Sequence, residues 1–212
     1  MMQRAWWLVF GLLVMLVCYH MPWYVHDTAG FTMHGFDLAE WTSLHPAVRN
    51  SSPAMLTSFL LRVPLWSFVF GFALLANDLH DPRWRWVVRA GALSLVLRFI
   101  PPQEFFTGSG DDPNYRQMAL LALLGVAAVL VAPVLTRSAW WVQDVLLVLV
   151  LVSGIVAAWW GLSRTHELLT NFAIDVRIGL GIIGYTVLGI AAALAVAGRL
   201  LAAIYAVRAR RR

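Results

Sequence analysis

Runs of apolar residues follow one another along most of the chain, broken by short polar stretches. They resolve into six segments: Ala5 to Tyr24, Ala54 to Asn77, Trp84 to Ile100, Gln117 to Leu135, Trp140 to Leu162 and Ile174 to Val207. A helix of about 20 apolar residues crosses the ~30 Å hydrocarbon core of a bilayer, and five of the segments reach or approach that length. The third is short and ends against Pro101 and Pro102, which cannot continue a helix cleanly. The pattern predicts an all-α fold: a polytopic membrane helical bundle of about six transmembrane helices, forming a single domain over residues 1–212. A re-entrant third segment would leave five spans and put the C-terminal arginines outside, against the positive-inside rule.

The polar residues between the segments set an orientation. With the N-terminus inside, Arg4, Arg83, Arg85, Arg89, Arg137 and the tail Arg208, Arg210, Arg211 and Arg212 are cytoplasmic, while Arg49, Arg116, Arg164 and Arg177 are outer. An excess of inner arginines favours both termini in the cytoplasm. Trp6, Trp7, Trp84, Trp86, Trp140 and Trp141 then form an inner aromatic belt, with Trp23, Trp41, Trp159 and Trp160 in the outer one. No small-x-small cleavage site follows the first segment, which reads as a retained helix. The basic tail 208–212 suits an anchor on anionic lipid.

The longest connection, about residues 22–53, belongs to the outer side. Asp27 to Gly30 reads as a turn between two short extended pieces, Tyr24 to His26 and Phe31 to His34, which predicts a small hairpin. Asp37-Leu38-Ala39-Glu40 then has the N-cap and third-position carboxylate of a capping box, so a short helix is expected to begin there. Leu38, Trp41 and Leu44 share one face of it, as in a segment lying in the headgroup plane or against a partner. Trp23, Asp37, Leu38 and Trp41 are therefore candidate interface residues. Ser51-Ser52-Pro53 reads as the start of the second span. Gly108 to Asn114 reads as a solvated turn.

Small residues mark where helices can approach closely. Gly154, Ala158 and Gly161 in the fifth segment, and Gly184, Ala191, Ala195 and Gly198 in the sixth, recur at the spacings of a packing stripe, for bundle packing or for a second subunit.

Composition narrows the chemistry. The chain is 60% hydrophobic and 13% charged, which excludes an ordinary soluble domain. Its net charge of +5 comes largely from the tail, so no nucleic-acid partner is implied. All 16 basic residues are arginine, which reads as codon bias. A single cysteine, Cys18, excludes an intrachain disulfide and a cysteine metal cluster. His20, His26, His34, His45 and His166 fall on the expected outer side, but no metal or haem spacing joins them, and no cofactor is predicted. Hydrolase, nucleotide-binding and dinucleotide motifs have no counterpart here, and repeated polar relays for transport are lacking within the spans.

Three ionisable residues inside the spans require explanation: Arg62, Arg98 and Asp144. Arg98 is expected to snorkel to the nearer interface, as is Arg199. Asp144 is expected to pair with Arg89 or Arg137. Arg62 has no evident acidic partner at its depth, about 12 Å below the outer end by helical rise, and is the candidate contact for a lipid phosphate, a quinone headgroup or a neighbouring subunit.

Pro22-Trp23-Tyr24, Gly30, Gly35 and Phe36-Asp37-Leu38 together resemble the first outer loop of small, uncharacterised bacterial polytopic proteins. The overall plan resembles accessory subunits of bacterial energy-converting complexes such as alternative complex III. That likeness implies a non-catalytic subunit of the bacterial inner membrane, surrounded by lipid and packed against other membrane subunits of a respiratory or photosynthetic electron-transport complex. The alternative expectation is a quinone- or lipid-binding protein or a transporter.

Overall fold

In the computed structural model, the backbone is described for residues 2–27, 32–138 and 140–209, and side chains for residues 5–27, 32–135 and 141–203. Residues 28–30 of the expected turn, the side chains of Arg4, Arg137 and Trp140, and the side chains of the basic tail lie outside these limits.

The order of elements is α1 (Met2–Tyr19), β1 (Tyr24–Val25), β2 (Thr32–Met33), α2 (Gly35–Leu44), α3 (Pro46–Arg49), α4 (Leu56–Ala76), α5 (Pro82–Val96), a 3-10 turn (Leu97–Phe99), α6 (Glu104–Thr107), α7 (Pro113–Ser138), α8 (Trp140–Asn171), β3 (Arg177–Ile178) and α9 (Leu180–Ala209). Four of these helices, α4, α7, α8 and α9, are long and apolar enough to cross a membrane. In α1 the apolar stretch Ala5–Tyr19 is shorter.

Side-chain contacts define two ends of the bundle. At one, Tyr19 of α1 donates to the Leu61 carbonyl of α4, Tyr24 donates to the Leu162 carbonyl of α8 at 2.9 Å, and Arg164 of α8 donates to Thr57 of α4 at 3.0 Å. At the other, Trp6 of α1 packs on Trp84 of α5, Arg89 of α5 donates to Asn77 at 2.6 Å, and Arg199 of α9 pairs with Asp144 of α8. Helices α1, α4, α5, α7, α8 and α9 run alternately between the two ends.

α4 is the central helix, with 78% of its most apolar stretch buried against 28% for α7. It touches α1, α5, α7 and α8. This explains why α4 is apolar on every side whereas α7 and α9 leave leucines and valines exposed: a helix ringed by others is hydrophobic all round.

Capping accounts for several boundaries. Asp81 accepts from the Arg83 amide at 2.8 Å and Pro82 occupies the first turn of α5. Asp112 accepts from the Asn114 amide at 2.8 Å, ahead of Pro113 at the start of α7. α2 begins at Gly35, two residues before the expected Asp37 cap, because the His34 imidazole takes the capping role and accepts from the Asp37 amide at 3.3 Å. The second span starts at Leu56 rather than at Ser51-Ser52-Pro53. The Ser51 hydroxyl is spent on the Val48 and Pro53 carbonyls, and Met55, at φ 61, turns the chain into the helix.

The hairpin is present, with Tyr24 opposite Met33 and Val25 opposite Thr32, but it has a third strand. β3 pairs antiparallel with β1, giving the order β2-β1-β3. The segment expected to begin the sixth span at Ile174 instead supplies this strand, and α9 begins at Leu180. Gly181 permits the close approach: a Cβ there would lie 2.5 Å from the Met21 carbonyl oxygen, and its amide donates to the Pro22 carbonyl at 3.0 Å. α8 runs to Asn171, nine residues beyond the expected Leu162, and carries Arg164 and His166 past the hairpin end.

Candidate functional site

The loop helix α2 does not lie flat beside the bundle. Its Leu38, Ala39 and Thr42 face is fully buried, mainly against α4, whereas Leu44 is 73% exposed. Leu38 and Leu44 therefore do not share one apolar docking face. This packing carries Glu40 down to Arg62.

Arg62 has no solvent exposure. Its Nη2 donates to Glu40 Oε1 at 2.7 Å and its Nη1 to Gln117 Oε1 at 2.9 Å. Gln117, one turn into α7, also accepts from Ser58 at 3.2 Å and donates through Nε2 to the Met55 carbonyl at 3.1 Å. The expectation that Arg62 lacks an acidic partner is thus corrected. Glu40 is 22 residues away in sequence and enters from the loop, so depth along α4 did not reveal it. Arg62 Nε has no hydrogen-bond partner among the described residues.

Beside this pair lies an open cleft lined by Glu40, Ser43, Ile100, Asn114 and Tyr115. Asn114 is buried and its Oδ1 makes no hydrogen bond among the described residues. An anchored carboxylate and an amide at one surface suit hydrogen-bond donors in a ligand. Arg49, the last residue of α3, pairs with Asp112 at 2.6 Å and ties the loop to the start of α7. Burial opposes the charged form of Asp112, but the Arg49 guanidinium and the Asn114 and Tyr115 amides outweigh it and hold the carboxyl below its usual range.

The other candidate charges lie elsewhere. Arg98 is exposed, with its guanidinium 5.3 Å from the centre of the Phe36 ring. Asp144 sits at the opposite end, where the expected Arg89 partner is engaged by Asn77. Arg199 takes its place, gripping both Asp144 oxygens and approaching Asp78 at 3.6 Å. Arg199 is therefore held in an ion-pair cluster rather than simply snorkelling. Arg62, Arg98 and Asp144 do not form one site.

Two of the proposed interface residues are also placed differently. Trp23 is fully buried against Tyr19 and Tyr185, with ring centroids 5.4 and 5.8 Å away, and Leu38 is fully buried. Neither side chain is available to a partner. Asp37 is half exposed and engaged with His34 at 3.0 Å, and Trp41 is half-buried near His45.

The stripe splits in the same way. A Cβ on Gly154 would lie 2.7 Å from the Tyr185 hydroxyl and 2.8 Å from the Ser67 hydroxyl; one on Gly161 would meet Leu61 at 2.9 Å. Ala158 is fully buried between them in sequence. Gly184 packs on Cys18, where a Cβ would lie 2.8 Å from the sulfur. By contrast, Ala191, Ala195 and Gly198 are exposed, and a Cβ on Gly198 would meet nothing within 4 Å.

His20 and His34 have ring centroids 5.7 Å apart, while His45 caps α3 and His166 lies near Tyr24. Among the described residues no group of three or more potential metal ligands gathers. Burial pushes His34 below its ordinary value, with Asp37 opposing and His20 and Arg98 adding to the shift. The neutral ring fits the geometry, since Nδ1 must accept from the Asp37 amide.

Glu40, Gln117 and Asn114 are the site residues that pattern reading missed. Along the chain Glu40 reads as the third-position carboxylate of a capping box, and the polar start of α7 carries no distinguishing signal. No family model matches this chain, no curated protein matches it, and no solved structure matches it.

Proposed function

We propose that this chain is a non-catalytic integral membrane subunit, with six spans and both termini in the cytoplasm, that packs against and stabilises a larger bacterial membrane complex. The single observation carrying this reading is that the buried charges are consumed inside the fold. Arg62 is neutralised by Glu40, and Asp144 by Arg199. Charges that support transport or catalysis within a membrane line water or a substrate path, whereas these brace one helix against another. The exposed small residues Ala191, Ala195 and Gly198 leave α9 room for close approach by another helix. Electron-transport complexes of the bacterial inner membrane are the partners to which the resemblance of the overall plan points.

A second reading rests on the cleft at Glu40 and Asn114: a membrane protein that binds a small molecule whose head carries hydrogen-bond donors, such as the reduced, quinol form of a quinone or a hydroxyl- or ammonium-bearing lipid.

The test is affinity purification from native membranes in mild detergent, with subunits identified by mass spectrometry and an absorption spectrum taken of the eluate. Stoichiometric partners, lost on Ala195→Trp while the chain itself stays folded, support the subunit reading. A lone, colourless protein sinks it and leaves the ligand-binding reading to be pursued at the cleft.

A further inference from the structure

α1 and α5 flank α4 and meet through the Trp6 and Trp84 rings, which pack edge to face with centroids 5.2 Å apart. Beyond this pair, a groove of about 340 Å³ runs between the two helices. Its lining includes Phe72 of α4, Val9 and Leu13 of α1, and Gly91 of α5. The Ser94 hydroxyl on its wall is already committed to the Gly91 carbonyl at 2.7 Å. An aliphatic chain fits such a surface; a polar headgroup does not. From Trp6 to Leu16 the groove follows about 15 Å of helix, half the ~30 Å hydrocarbon thickness and therefore the depth of one leaflet.

Charge identifies the head of this chain. α5 opens with Pro82-Arg83-Trp84-Arg85. The Arg85 guanidinium donates to the Leu79 and His80 carbonyls, and that of Arg89 to Asn77. Arg83 is exposed, and among the described residues its guanidinium makes neither an ion pair nor a hydrogen bond. It lies four residues before Val87, which lines the groove, and so on the same side of α5. The N-terminus of α5 is already capped by the Asp81 carboxylate, so the attraction for an anion rests on the Arg83 guanidinium itself.

We propose that the α1–α5 groove is a binding site for an anionic phospholipid, with an acyl chain between Trp6, Val9, Phe72 and Gly91 and the phosphate on Arg83. The proposal rests on α1 and α5 standing in the bilayer beside the four longer spans.

The full chain, released from membranes in mild detergent, is titrated with dioleoyl phosphatidylglycerol or dioleoyl phosphatidylcholine and read by native mass spectrometry. Phosphatidylglycerol is expected to bind about fivefold more tightly, the factor one arginine near an anionic surface contributes. Arg83→Gln removes that preference while uptake of both lipids persists. Gly91→Leu fills the groove from a position where an added Cβ meets nothing within 4 Å, and lowers uptake of both lipids. Val87→Trp, one turn away, is a second filler should Gly91→Leu fail to fold. Equal binding of the two lipids by the wild-type chain, or wild-type uptake by a folded groove-filled variant, overturns the proposal. Recovery of the chain without detergent would instead sink the membrane placement itself.

Discussion

Arg62, enclosed near the hairpin end of the bundle, donates to a carboxylate oxygen of Glu40 at 2.7 Å, and the two residues belong to different layers of the molecule. The first sits in the central helix and the second in the loop helix laid across it. The loop is thus bound to the bundle by a charge pair as well as by the buried Leu38 and Ala39.

Removing the acid should leave Arg62 buried and uncompensated. Glu40→Gln is expected to cost about 2 kcal/mol, below the ~3–5 of a fully buried pair. The discount reflects the 38% exposure of the Glu40 side chain, where solvent screens the attraction. Thermal unfolding in detergent reads the loss. Adding Arg62→Met should recover part of it, and strictly additive losses would show that the two side chains are not coupled.

At the opposite end, Asp144→Asn should destabilise the protein by about 3 kcal/mol, because Asp144 is nearly closed to solvent and grips Arg199 with both oxygens. Asp78→Asn should cost about 0.5 kcal/mol, since that pair is longer, at 3.6 Å, and half open. Equal effects from the two variants, measured by the same unfolding assay, would argue against this ranking.

The small residues should separate by position. Gly154→Ala forces a methyl group against the Tyr185 and Ser67 hydroxyls and should cost about 1–3 kcal/mol. Gly198→Ala meets open space inside α9 and should stabilise the isolated chain by about 0.5–1 kcal/mol through helix propensity, while weakening any partner that seats on α9. Loss of stability from Gly198→Ala in the isolated chain would place that face inside the fold.

His34 should make stability depend on pH. Its proton affinity in the folded chain is below the ordinary value of 6.5 that the unfolded chain regains. The unfolded state therefore takes up the proton first, and stability falls as pH drops through that value and is fully present above it. His34→Asn can still cap α2 without titrating in this window. Wild-type unfolding midpoints should decline on acidification from neutral pH, and those of the variant should decline less; parallel curves would place the titration elsewhere.

Much of the fold was readable along the chain because helix period and span length are local properties. Apolar runs located α4 and α7 to within a few residues and fixed the start of α8, but α8 runs nine residues past its expected end, and other boundaries moved where a second interaction intervened. Capping by His34 shifted α2, and pairing of β3 with β1 shortened the start of α9. The latter needs 22–25 and 177–178 side by side, a relation between residues some 150 positions apart that no local pattern encodes.

The residues that bear charge show the division most clearly. Sequence alone determined that Arg62 and Asp144 lie in apolar helices and must find partners, because an unpaired charge in a low-dielectric interior is prohibitively costly. Only the tertiary structure decided that those partners are Glu40 and Arg199, because partner choice depends on which helices lie together and at what depth. The same holds for the small residues. Their spacing marked surfaces of close approach, and packing assigned Gly154, Ala158 and Gly161 to the bundle while leaving Ala191, Ala195 and Gly198 on its outside.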